Sequence, residues 1–362
     1  CLYTYRAKDG NILRVNCHVD DCCVTHSSPK LYARFRKELS RAYDISEADD
    51  DNKFLGMVIE RLGDGSLQVH QRQYVEDMLT RYRHADCTPV NTPFQSGVKL
   101  SKDQCPKTEE EKAKMAKVPY RQLVGSLMHL ANCTRADISV ALGLCAKFCV
   151  NPGRPHWQAL QWILRYLKGK PDLGLIYGRK VPGVPFSPLH GYVDGSWGSD
   201  PDDGRSTTGY IFLAWGGAVC WRSIKQASTA LSSTESEYMA ASEAAREAVW
   251  LQRLYKEDLK HEDLHLITAG ALSEREFHGD RPMVLFEDNM GAIYLSRNPV
   301  AHKSSKHIEI RYHFVRERVL DGTLKLAKID TKHNIADILT KPTKRSTFVY
   351  LRDKILWPPE DP

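Results

Sequence analysis

A chain of 362 residues, 42% hydrophobic and 27% charged with a formal net charge of +6, is long enough for two or three packed domains and too apolar to remain disordered. Its mild basicity permits a nucleic-acid partner without demanding one. Ten cysteines occur with no C-x-x-C pair, which argues against a disulfide scaffold or a zinc ribbon and for a reducing compartment; no signal peptide is legible, and no apolar run nears the roughly 18 residues of a membrane-spanning helix.

The sequence opens at Cys1, without an initiator methionine, as a fragment or a processed product would. "NILRVNCHV" and "CCVT" read as two strands joined at Asp20-Asp21. "SSPKLYARFRKEL" then starts a helix, with Ser28 as N-cap and Pro29 at the first helical position. Cys17, His18, Cys22, Cys23 and His26 are all potential zinc ligands, but paired strands send alternate members to opposite faces, so no zinc site is expected. "FLGMVIERLGDGSLQVHQ" reads as a hairpin around Gly63-Asp64-Gly65. From Tyr120 to Gly169 the pattern is helical: Leu123, Leu127 and Leu130 share a face, Asn151-Pro152-Gly153 breaks the run, and "HWQALQWILRYLKG" follows. Trp157 and Trp162 of that last helix fit a core better than a base-stacking platform. The proline-rich stretch 179–188, "RKVPGVPFSP", is the best domain boundary in the sequence.

Beyond it, strands around Tyr192, Tyr210 to Trp215 and Ala218 to Trp221 form an antiparallel meander. A long helix from about Ser233 to Tyr255 comes next, followed by the strand "MVLF" and the short helix "MGAIYLS". "HIEIRYHFVRERVLDG" gives a longer helix, with Ile308, Tyr312, Val315 and Val319 at helical spacing, before the strand "TLKLAKI" and a last helix "NIADILTK". The order is βββαβααβα.

Four acids stand out in this region: Asp194 inside the first strand, Glu237 early in the long helix, Asp288 at the end of the fourth strand, and Asp337 in the last helix. Most have a structural alternative. Glu235 and Glu237 each suit a capping box, with Ser232 and Thr234, and Asp288 and Asp337 each suit a helix cap. Asp194 has the weakest such alternative, because a carboxylate between Val193 and Trp197 must find a partner or bear the desolvation cost. Hard divalent cations need several oxygen ligands, and two such ions roughly 4 Å apart serve in-line phosphodiester hydrolysis. Acids gathered from separate elements can build that clamp.

Here a resemblance enters. "YVDGSWGSDPDDGRSTTGYIF", "WRSIKQASTALSSTESEYMAASEAAREAVWL", "FEDNMGAIYLSRNPVAHKSSKHIEIRYHFVRE" and "ADILTKP" resemble, in order, the ribonuclease H domain of copia-type retrotransposon polyproteins. The resemblance implies metal ligands at Asp194, Asp288 and Asp337, with the helix acid at Glu237 in preference to Glu235, which precedes "YMAA" less directly. It implies two Mg²⁺ ions, with Mn²⁺ as an alternative. Upstream, "HVDDCCVTHSS", "FLGMVIE", "YRQLVGSLMHLANCTRADISVA" and "HWQALQWILRYLKGKPDLGLIY" resemble the palm, thumb and connection of the same polyprotein's polymerase, with Asp20 and Asp21 as metal acids. Two departures matter: His18 stands where the family has tyrosine, and the strand with the third polymerase carboxylate, like the fingers, is expected upstream of Cys1.

The implied fold is therefore α/β (α+β), a ribonuclease H-like mixed sheet with flanking helices preceded by a partial polymerase palm and a helical thumb/connection. The implied divisions are 1–85 palm and thumb start, 86–180 thumb/connection, 181–188 linker, 189–345 ribonuclease H-like domain and 346–362 tail. Expected partners are an RNA–DNA hybrid, template RNA and cDNA, and other parts of the polyprotein, with no membrane; the setting is the cytoplasm, in virus-like particles, or the nucleus. Arg205, Asn289, Lys303, Lys306, Arg311 and Arg316 are contact candidates for the hybrid's backbone, although each alone reads as a solvated face. His333, four residues before Asp337, is a candidate for proton transfer or product release against the simpler reading of a surface histidine. Two rivals stand beside hybrid cleavage: a catalytically silent remnant that still grips nucleic acid, and a piece of a longer active reverse transcriptase.

Overall fold

Strand-like sequence and polar turns shape the first of two units into which the chain divides, Cys1–Glu60 with Trp250–Asp280. The structure, a computed structural model, describes residues 1–46, 52–187, 189–258, 282–298 and 310–357. Strands β1 (Leu2–Arg6), β2 (Ile12–His18) and β3 (Asp21–His26) form an antiparallel meander. The central strand β2 carries the buried Ile12, Leu13 and Val15. Helix α1 (Pro29–Ala42) follows with Ser28 at its N-cap and Pro29 in the first turn, where a missing N–H costs nothing. A tight turn at Leu55 and Gly56, both at positive φ, joins β4 (Lys53–Phe54) to β5 (Met57–Arg61).

The second unit comprises Arg61–Val249 and Arg281–Pro362. The Leu62 N–H donates to the Ser66 carbonyl across the Gly63-Asp64-Gly65 turn, and β6 (Leu67–His70) then pairs antiparallel with β7 (Leu175–Tyr177). Helices α2 (Arg72–Arg81), α3 (Glu109–Ala116), α4 (Tyr120–Cys133), α5 (Ser139–Ala146) and α6 (Arg154–Gly169) lie between them in sequence. Leu123, Leu127 and Leu130 are fully buried, as their spacing on one helical face requires. A buried ion pair ties the turn after α4 to α6: Arg135 grips Asp137 through Nε and Nη2 at 3.0 and 2.8 Å, while the Tyr166 hydroxyl donates to the same carboxylate at 2.5 Å. Satisfied on every side, this pair serves geometry more than net stability.

The five-stranded sheet has the order β10-β9-β8-β11-β12. Strands β8 (His190–Ser196), β9 (Thr207–Ala214) and β10 (Gly217–Lys225) form the antiparallel meander, and β11 (Met283–Glu287) and β12 (Leu324–Lys328) add in parallel. Helices α7 (Ser233–Asp258), α8 (Met290–Arg297), α9 (Phe314–Leu320) and α10 (Arg345–Arg352) accompany it. The architecture is mixed α/β, with β8 central and buried at every position.

Three details differ from the sequence reading. "NIADILTK" forms a short 3-10 helix, Ile335–Leu339, rather than an α-helix. Its five residues are all buried against β8 and β9, and the Asn334 side chain both caps the Ala336 N–H and donates to the Val193 carbonyl at 2.8 Å, so the sheet dictates a tight turn. The long helix expected from "HIEIRYHFVRERVLDG" begins, among the described residues, as a 3-10 turn at Ile310–His313 and becomes α-helical only at Phe314; Ile308 lies outside the described residues. Helix α10 adds an element after the expected last one.

One hydrophobic core runs through the second unit, from Leu127 of α4 and Ile163 of α6 to Ile211 of β9, Ile338 and Leu351 of α10. Val181 and Val184, within the proline-rich stretch, are buried in it too. The Trp221 indole N–H of β10 donates to the Ala131 carbonyl of α4 at 2.8 Å, a further tie between helices and sheet. No helix among the described residues is long and apolar enough to cross a membrane.

Candidate metal centre

Asp194 is the fifth residue of β8 and only 3% exposed. Two glycines open the space around it. Opposite it on β9 stands Gly209, where a Cβ would lie 2.7 Å from the Thr340 methyl and 2.9 Å from the Leu339 Cβ, so the 335–340 turn can settle on the sheet. Next to it, a Cβ on Gly195 would come within 2.7 Å of the Ser236 carbonyl oxygen. Helix α7 therefore approaches β8 backbone to backbone, and the residue after Ser236 is Glu237.

The result is convergence. Asp194 of β8, Glu237 of α7 and Asp288, one residue past β11, each offer a carboxylate oxygen within 4.8 Å of the others. Asp194 and Glu237 are buried and Asp288 is half-buried. Among the described residues no other group of three His, Cys, Asp or Glu side chains converges in this way. The two helix acids have separate tasks: Glu235 accepts the Leu231 N–H at 2.7 Å while its own N–H is capped by Ser232 at 3.1 Å, so it closes the N-terminus of α7 and leaves Glu237 to the cluster.

Asp337 lies close enough for its charge to act on Asp194, but its carboxylate is paired with the Lys341 ammonium at 2.5 Å and is not one of the three converging groups. The Thr340 hydroxyl donates to the Asp194 carboxylate, fixing its orientation. Sequence reasoning overlooked three residues here: Thr340, Lys341 and Glu287. Glu287 is fully buried at the end of β11; one oxygen accepts the Asn289 N–H at 2.9 Å, and the other has no partner. Its signal was present in the strand alternation, since Met283, Leu285 and Glu287 all point to the buried side.

Bringing acids together out of water disfavours their ionised forms. Burial first, and the neighbouring Asp337 and Asp288 charges after it, push Asp194 up to about 6, against the pull of Lys341 and Thr340. Burial and the charges of Glu287, Asp194 and Asp288 raise Glu237, and Glu287 is raised well above the carboxylate range mainly by burial. Lys341 is held above its ordinary value by Asp194, Asp337 and Glu237 despite its partial burial. A divalent cation would offset this crowding directly. The donor set fits one: all oxygens, no sulfur or imidazole, and a Glu237 oxygen that is buried without a hydrogen-bond partner.

The remaining sequence candidates fall elsewhere. Asp20 and Asp21 sit exposed at the β2–β3 turn of the first unit, next to Val19 at positive φ, and no third ligating residue joins them among the described residues. Arg205 is exposed beside Asp203 at 3.7 Å. Asn289 caps α8, its side-chain oxygen accepting the Ala292 N–H at 3.1 Å. Arg316, expected at a nucleic-acid surface, is instead 8% exposed and donates through Nε to the Leu295 carbonyl at 3.0 Å, because α9 packs on α8. Lys303 and Lys306 lie outside the described residues, as does the side chain of Arg311. His333 is exposed and hydrogen-bonds the Tyr350 hydroxyl of α10 at 2.6 Å.

No family model matches the chain. Over 98% of its length, however, the chain is 38% identical to the retrovirus-related Pol polyprotein from transposon TNT 1-94 of Nicotiana tabacum, covering 25% of that protein. It is 36% identical over 93% of its length to the corresponding polyprotein from transposon RE1 of Arabidopsis thaliana, covering 21% of it. A putative transposon Ty5-1 protein of Saccharomyces cerevisiae is 30% identical over 68% of the chain and 77% of its own length. The chain thus spans about a quarter of the two plant polyproteins.

Proposed function

Because this chain belongs to the copia-type retrotransposon Pol polyproteins, we propose that its residues 189–345 are a ribonuclease H-like domain that hydrolyses the RNA strand of an RNA–DNA hybrid, leaving a 3′-hydroxyl and a 5′-phosphate. One observation carries the reading: the carboxylates of Asp194, Glu237 and Asp288 converge within 4.8 Å from three separate elements. Asp194, Glu237 and Asp288 would hold Mg²⁺, with Asp337 the fourth acid at its edge. Bound there, the ion supplies charge neutralisation at the phosphate and an acidified water at neutral pH.

The chain's own residues prepare that site. The Thr340 hydroxyl orients the Asp194 carboxylate, and Glu287 holds the Asn289 backbone N–H and so fixes the turn that presents Asp288. Lys341 keeps a positive charge beside Asp194 and Asp337, where it would meet a substrate phosphate once the acids are engaged. Recognition of the hybrid rests on phosphates and 2′-hydroxyls, not on base sequence. The proposal does not extend to DNA synthesis, since Asp20 and Asp21 gather no third ligand among the described residues.

The test is cleavage of a labelled RNA–DNA hybrid by the whole chain in Mg²⁺, with Asp194→Asn and Asp288→Asn beside it. Cutting by the wild type that both variants lose supports the proposal, and undiminished cutting by either sinks the metal assignment. Tight hybrid binding with no cutting by the wild type favours the silent remnant instead.

A further inference from the structure

A groove of about 490 Å³ opens in the second unit between the segment Phe94–Leu100, helix α5 and the end of the sheet that carries Asp194. One wall is apolar, built from Phe94, Val98, Leu100, Val140 and Leu144. The loop after β8 and Thr340–Lys344 line it as well. Its charges are lopsided: Lys99, Lys147, Lys225, Lys341 and Lys344 line it, against the single carboxylate of Asp200. That aspartate, 7% exposed, is shared by two of the lysines, with Lys147 Nζ at 2.9 Å and Lys225 Nζ at 2.6 Å. Lys225 also reaches Asp203 at 2.7 Å. Two ammonium groups are thereby fixed in place around one buried acid, whereas Lys99 and Lys344 are exposed and have no ion pair among the described residues.

Continuity with the metal centre is what gives the groove a direction. Thr340 and Lys341 line it, and these same two residues touch the Asp194 and Asp337 carboxylates. A polyanion lying on the lysines therefore arrives at the acids without leaving the surface. Apolar side chains interleaved with lysines match a sugar–phosphate chain, whose ribose and base faces are apolar and whose phosphates are not.

We propose that this groove between α5 and the sheet holds a phosphodiester strand of the substrate and leads it into the metal centre. The proposal builds on the nuclease reading and assigns helical residues of the 94–147 region a share in substrate binding. The groove's lysines act as backbone contacts, so they add affinity and salt dependence without sequence preference.

The experiment uses the full chain and a fluorescent RNA–DNA hybrid, with Ca²⁺ in place of Mg²⁺ so that binding is read by anisotropy without cutting, over a series of salt concentrations. The double variant Lys99→Glu/Lys344→Glu is expected to bind about tenfold or more weakly, with a log–log salt slope shallower by about two, as loss of two phosphate contacts requires. Lys99→Gln/Lys344→Gln should show the same change of slope with a smaller loss, and circular dichroism verifies that each variant is folded. Unchanged affinity and slope in both variants overturn the groove assignment. Cutting in Mg²⁺ is scored separately: a wild type that cuts while the variants bind as it does removes only the groove, and a wild type that never cuts while the variants lose binding removes only the nuclease reading.

Discussion

At Asp194 the physical conflict is local and measurable. The carboxyl is buried and pushed up to about 6 from an ordinary 3.8, so in metal-free protein the native state retains a proton that the unfolded chain releases between those values. Stability from this group is thus complete below pH 3.8 and is lost as the pH rises towards 6. Asp194→Asn removes the conflict and keeps an oxygen for Thr340. In EDTA the variant should be more stable than the wild type by on the order of 2 kcal/mol at pH 7.5, with the gap narrowing as the pH falls below 6 and closing only near 3.8; thermal melts at pH 7.5 and at the acid end of that window measure it. Saturating Mg²⁺ should reverse the ranking, because only the wild type gains binding energy. For cleavage, Asp194→Asn and Asp288→Asn should each lose about a hundredfold or more, read as initial rates on the hybrid. Asp194 was legible in the sequence because a lone acid in an apolar strand has no structural excuse. Glu287 was passed over, because beside Asp288 in "FED" the pair reads as an ordinary polar strand end, although the alternation Met283, Leu285, Glu287 already carried it inward.

Helix α7 reaches strand β8 only because position 195 has no side chain. Gly195→Ala places a methyl within 2.7 Å of the Ser236 carbonyl oxygen, and neither backbone can yield without moving Glu237. The expected cost is about 1–3 kcal/mol, together with weaker Mg²⁺ binding, measured by calorimetry on the folded variant. Gly209→Ala should act on the other side by lifting Leu339 and Thr340 off β9, so that the Thr340 bond to Asp194 is lost. Most elements of the second unit followed from residue spacing, and the meander, the strands "MVLF" and "TLKLAKI" and the long helix all stand near their expected residues, whereas the parallel pairing of those two strands came only with the structure. The 335–339 turn did not. Ile335, Ala336, Ile338 and Leu339 satisfy a helical pattern and a buried turn equally well, and the choice is made by Asn334 and Thr340 bonding to β8, a contact across 141 and 146 residues that no local window contains.

For the second unit as a whole, the shared core predicts shared fate. Leu127 belongs to α4, far in sequence from the acids, yet it is fully buried in the core that also holds Ile211 and Ile338. Leu127→Ala should cost about 2–5 kcal/mol and lower the melting temperature at which hybrid cleavage is lost, with helical signal and activity disappearing in one transition. A chain beginning at residue 189 would lack α5, which packs on β10, α4, which accepts the Trp221 indole N–H, and the rest of the helical side of the shared core, and should be less soluble and less stable than one beginning at 61, as sedimentation and thermal melts will show. The proline-rich run at 179–188 marks a change of architecture along the sequence, but Val181 and Val184 are buried in the common core. Composition registers the turns and prolines of such a stretch, and does not register which side chains pack beneath it.

The bond from Thr340 to Asp194 spans 146 residues, and that distance is also an interval of time. During synthesis, position 194 leaves the ribosome well before position 340 exists, so the strand waits with its carboxylate unoriented while the sheet gathers its last members. The converging acids therefore reach their final orientation only late in the making of the molecule, and a chain halted partway would carry Asp194 without the hydroxyl that fixes it.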